Sequence, residues 1–74
     1  MSHLTPVEFV EMMYDDARLY CDPEPMTVTD AAYNIREYKA DGIPVPPGVT
    51  PRTYTRIWNI CYMRDRARKG VVEA

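Results

Sequence analysis

Five side chains near the C-terminal end recur at steps of four, three, four and three: Arg52, Arg56, Asn59, Met63 and Arg66. On a helix that spacing keeps them in one line. Arginine and asparagine are the side chains that read guanine and adenine edges in a major groove. A row of arginines with an apolar residue among them also suits an acidic protein surface. Arg64, Arg68 and Lys69 carry the charge further around the end of the segment. Three features weigh against nucleic acid. The connection before this segment is about nine residues and rich in proline, where a helix-turn-helix uses three or four. The whole chain is acidic, with a net charge of −2, whereas DNA-binding domains are usually strongly basic. Asp65 also interrupts the basic cluster. The expectation is therefore a protein-binding or solvated face first, a nucleic-acid contact second, and pairing with the acidic N-terminal half third.

Catalytic chemistry is poorly served. The chain has one histidine, His3, near a terminus, and no cysteine or histidine spacing completes a metal site around it. Asp15 and Asp16 are adjacent, so on a helix they point about 100° apart and cannot share a proton. Asp22 and Glu24 lie in a proline-rich turn, where water solvates them. Cys21 and Cys61 have no base nearby in sequence and read as packed, reduced thiols rather than as a disulfide or a nucleophile. Three glycines in the chain make no phosphate-binding loop. The sequence thus points to a non-enzymatic protein with no cofactor and no metal.

Seventy-four residues bury only about 60 to 65% of the unfolded surface, which leaves little room for an enclosed site. No apolar run reaches the ~20 residues of a membrane span. The N-terminus has no basic stretch followed by an apolar core, so no signal peptide is expected and the cytoplasm is the default location. Charge is unevenly spread. Residues 1–35 hold seven carboxylates and one arginine, for −6; residues 36–74 hold eight basic and four acidic residues, for +4. The two halves attract one another when folded, and the second offers a basic patch to an acidic partner or a polyanion.

The elements that must carry these residues begin alike. LTPVEF, MTVTDA and VTPRTY each place an apolar residue before a threonine and another four residues after it. Thr5, Thr27 and Thr50 read as N-caps, with Glu8 and Asp30 in the first turn and Pro6 and Pro51 at the first helical position. CDPEP stops the first helix, because proline disfavours helix at the preceding residue. Gly42 and Gly70 read as C-terminal caps. The reading is an all-α three-helix bundle of one domain, residues 1–74, with helices at 6–21, 28–41 and 51–69. The stiff GIPVPPGV connection should lay Ile43 and Val45 on the bundle rather than serve as a proline-rich ligand.

Helical spacing then sorts core from surface. Phe9, Val10, Met13, Ala17, Tyr20 and Cys21 form one stripe; Val28, Ala31, Ala32, Ile35 and Tyr38 a second; Tyr54, Ile57, Trp58 and Cys61 a third. Phe9, Ile35, Ile57 and Trp58 are the expected centre. Met12, Leu19, Tyr33, Ile60, Met63 and Ala67 fit no stripe, so either the loop covers them or they form a surface for a partner. The leading functional expectation is a small regulator or inhibitor that binds another protein through Arg52, Arg56, Asn59, Met63, Arg66 and Tyr33. Nucleic-acid binding by the third helix is the alternative, and homodimerisation through the flanks of the first and third helices is a further one.

Overall fold

The computed structural model describes residues 4–73, with side chains described as far as Arg68. Three helices make it up: α1 (Pro6–Arg18), α2 (Val28–Ala40) and α3 (Pro51–Glu73). Each starts at the expected threonine. The Glu8 N–H donates to Thr5 Oγ1 at 3.1 Å and the Thr5 N–H donates to Glu8 Oε1 at 2.9 Å, a complete capping box. The Asp30 N–H donates to Thr27 Oγ1 at 3.1 Å and the Thr53 N–H to Thr50 Oγ1 at 3.2 Å. These bonds satisfy backbone donors that the first turn leaves without a helical partner.

The helix ends differ more from expectation. α1 stops at Arg18, not at residue 21. The Leu19 and Tyr20 N–H groups reach back only three residues, to the carbonyls of Asp16 and Ala17. Pro23 and Pro25 forbid helix further on, and α3 draws the segment between them inward, as described below. Tyr20 and Cys21 consequently leave the helical register and are exposed, contrary to the core stripe drawn for them. α2 ends at Ala40, with Asp41 as its cap and Gly42 at φ 78° beyond it. The Ile43 N–H donates to the Tyr38 carbonyl at 2.9 Å and the Gly42 N–H to the Lys39 carbonyl at 3.1 Å, which is a Schellman closure. Gly70 does not cap α3, which continues through it to Glu73. A glycine inside a helix costs about 1 kcal/mol relative to alanine but does not block it.

α1 and α2 each lie along α3, and their backbones do not approach one another. α1 runs parallel to α3, since Tyr14 meets Trp58 and Arg18 meets Asp65. α2 runs antiparallel, with Met26 before its start beside Asn59 and Tyr38 near its end beside Tyr54. The core holds Phe9, Val10, Tyr14, Met26, Ala31, Ile35, Val49, Tyr54, Ile57, Trp58 and Cys61. All four residues expected at its centre are there. Val28 is exposed instead of buried, because Met26 enters the core just before α2 begins. Met13, Ala17, Tyr38, Ile43 and Val45 pack around the edge.

The proline-rich connection turns at Pro46-Pro47-Gly48-Val49, where the Val49 N–H donates to the Pro46 carbonyl at 3.3 Å. Gly48 has φ 92°, and a Cβ there would stand 3.3 Å from Pro6 Cγ. Proline at the second position and glycine at the third suit a type II turn. This turn seats the start of α3 against the start of α1. Gly48→Ala is expected to lower stability by about 1 to 2 kcal/mol through left-handed strain, read as a lower midpoint of urea unfolding at unchanged slope.

Candidate protein-binding face of helix α3

Among the described residues, α3 has a neighbour on two sides and none on the third. Its inward stripe of Tyr54, Ile57, Trp58 and Cys61 is buried as expected. The line of five residues proposed for binding does not stay together. Asn59 turns to the segment ahead of α2. Its Oδ1 accepts from the Met26 N–H at 2.7 Å, and its Nδ2 donates to the Met26 carbonyl at 3.1 Å. Beside it, Trp58 Nε1 donates to the Glu24 carbonyl at 2.7 Å. Two consecutive α3 residues therefore hold one extended stretch of chain by its backbone, and the amide of Asn59 is engaged at both ends. It has no free edge to present to a base.

Arg66 is also diverted. Its Nη1 donates to the Tyr62 hydroxyl at 3.0 Å and its guanidinium lies 5.7 Å from the Tyr62 ring centre. Arg64 pairs with Glu11 of α1 at 3.8 Å. Arg52 and Arg56 are exposed and form no ion pair among the described residues. Next to them along α3 come Ile60, 49% exposed, Met63, 68% exposed, and Ala67, also exposed. Steps of four, four, three and four join Arg52, Arg56, Ile60, Met63 and Ala67 on the side away from the core. The outward face is thus an apolar row with a basic beginning. Tyr33 is exposed on α2 and lines a different hollow, with Ala17, Met26, Asp30 and Trp58.

Asp65 and Tyr14 escaped the sequence reading. Asp65 extends the inward stripe by one more step of four from Cys61, a spacing that could have revealed it. It is buried, not an interruption of the exposed basic cluster. The Tyr14 hydroxyl donates to Asp65 Oδ2 at 3.3 Å, and Arg18 stands 4.0 Å from Oδ1. These three line a polar groove of about 320 Å³ between α1 and α3, together with Glu11, Asp15, Cys61, Arg64 and Arg68. Burial first, and then the negative charge and the hydrogen bond of Asp65, push the Tyr14 hydroxyl up to about 12. Burial likewise raises Tyr54, whose hydroxyl lies 2.7 Å from that of Tyr38, and the Cys61 thiol. A raised thiol pKa opposes thiolate formation and leaves Cys61 a packing residue.

No family model, curated protein or solved structure matches this chain.

Asn59→Ala removes both backbone contacts to Met26. It is expected to cost about 1 to 3 kcal/mol of stability, with faster amide exchange at Met26 as the local signature. Tyr14 binds its proton more tightly folded than unfolded, at about 12 against 10.0. Its contribution is complete below pH 10 and declines as pH rises toward 12. Tyr14→Phe should flatten that alkaline loss, measured as unfolding midpoint against pH.

Proposed function

We propose that this protein is a small non-enzymatic binding module whose working surface is the outer face of α3, acting as a regulator or inhibitor of a protein partner. One observation carries the reading: Ile60 and Met63 stand exposed in a row with Arg52 and Arg56. Exposed apolar residues continuous with arginine form an interface composition, since both are enriched where proteins meet. The partner that fits is an acidic, apolar-centred surface or amphipathic helix, which would cover Ile60 and Met63 and place carboxylates near the two arginines. Arg52 and Arg56 would set the approach and its salt dependence, while Met63 and Ile60 would supply the buried centre.

The nucleic-acid alternative rests on Arg52 and Arg56, which are exposed at the start of α3 and form no ion pair among the described residues. It is the weaker reading. Asn59 is occupied by Met26, Arg66 lies on Tyr62, and the residues that follow Arg56 along the face are apolar. A phosphate-tracking surface uses positive charge there. No helix among the described residues is long and apolar enough to cross a membrane.

Fluorescence anisotropy separates the readings. The probe is a labelled amphipathic helical peptide with leucines three and four apart among glutamates. Wild-type protein is expected to bind it, and Met63→Asp to weaken binding about tenfold or more, as for a central interface residue. Arg56→Glu should weaken it and flatten its salt dependence. Labelled duplex DNA that binds in a steeply salt-dependent manner, indifferent to Met63→Asp, would transfer the assignment to nucleic acid.

A further inference from the structure

A second exposed apolar strip lies on α1 and its cap. Met12 is 46% and Leu19 is 76% exposed, and with Met13, Asp15 and Asp16 they line a shallow hollow of about 440 Å³. Glu8 falls on the same flank by helical spacing. α1 carries four carboxylates, Glu8, Glu11, Asp15 and Asp16, against the single Arg18, which lies beside Asp15 and Asp65. This strip therefore has the opposite charge from the α3 face. The two also match in length. Met12 to Leu19 and Ile60 to Ala67 each span seven residues, about 10.5 Å along a helix.

We propose that the α3 face of one copy docks on the Met12–Leu19 flank of α1 in a second copy. The proposal rests on the reading of the α3 face as a protein-binding surface and names its partner. Charge decides the pairing. Like faces together would set Arg52 and Arg56 against arginines, or Asp15 and Asp16 against carboxylates, at a cost in repulsion. Crossed, parallel pairing with Met12 beside Ile60 and Leu19 beside Ala67 sets Arg56 toward Glu8, one turn ahead of Met12, and seats Met63 in the hollow between Met12 and Leu19. The contact is heterologous, because the two surfaces differ. Each added copy retains an unused face, so association extends with concentration unless the geometry closes into a ring.

Sedimentation velocity on the full chain tests this. The mean mass should rise from the monomer value as concentration goes from about 10 µM to about 1 mM, by mass action. It should fall back when salt is raised to about 0.5 M. Met63→Asp disables the α3 face, and the double change Met12→Lys with Leu19→Lys disables the α1 flank. All three positions are exposed, and far-ultraviolet circular dichroism checks that both variants fold. Each variant alone should remain monomeric. An equimolar mixture should form a species of about twice the monomer mass and nothing larger, because only one live surface of each kind remains. A wild type that stays monomeric at about 1 mM and low salt overturns the proposal, as does a mixture that fails to pair. If the acidic helical peptide then still binds in a Met63-dependent manner, the α3 reading stands and only its partner is wrong; if the peptide fails too, both fall.

Discussion

The Trp58 indole is the constraint from which the rest of the arrangement follows. Its ring meets Tyr14 of α1 edge-on at 5.0 Å and stacks beside Tyr54 of α3 at 5.8 Å. Its N–H is bound by the Glu24 carbonyl in the segment that leads to α2. One side chain thus touches the first helix, its own helix and the connection to the second. A buried indole needs a partner for its N–H, and the Glu24 carbonyl that supplies it lies in a stretch that prolines keep out of helix. Fixing that carbonyl places Met26 within reach of Asn59, and Asn59 then closes both backbone groups of Met26. The path of the chain between α1 and α2 is set from α3, over a sequence distance of more than thirty residues.

A central helix with two partners explains the distribution of polar groups. Tyr38 and Tyr54 join their hydroxyls where α2 meets α3, and Tyr14 reaches Asp65 where α1 meets α3. Both seams therefore close on a hydrogen bond at the edge of an apolar contact, which avoids the cost of an unpaired buried oxygen. Among the described residues no buried side-chain nitrogen or oxygen lacks a partner. Among the described residues, the third side of α3 has no such neighbour. A chain of this length has too few residues to wrap all three sides, so apolar residues placed there face outward.

Charge segregation in the sequence becomes charge segregation in space, with one qualification. Part of the attraction between the acidic and basic halves is used internally, as Arg64 beside Glu11, while Arg18 beside Asp65 joins the minority charge of each half. These pairs lie where α1 and α3 touch. On the outside, the start of the α3 face is basic and the flank of α1 is acidic, each next to exposed apolar side chains. Exposed ion pairs contribute little to stability; their consequence here is to decide which charges are left to act on a partner.

Local chemistry was readable from the sequence because it depends on residues close in the chain. Three threonines began three helices, Gly42 closed the second, and the periodic stripes of α3 named its buried side. Met63 and Ile60 were identifiable as surplus to that stripe. The role of Asn59 was not, because an amide on a helix reads the same whether it faces water, a base or a loop; only the approach of Met26 settled it. Tyr20 and Cys21 looked buried by periodicity, yet the helix carrying them ended early when distant hydrogen bonds claimed the following segment. Asp65 looked like a surface interruption and lies inside, since its position on the stripe outweighed its charge once Tyr14 could donate to it. Capping and periodicity are short-range and were determined by the sequence itself, whereas the choice of which polar groups meet across 33 to 51 residues was made only when the helices packed.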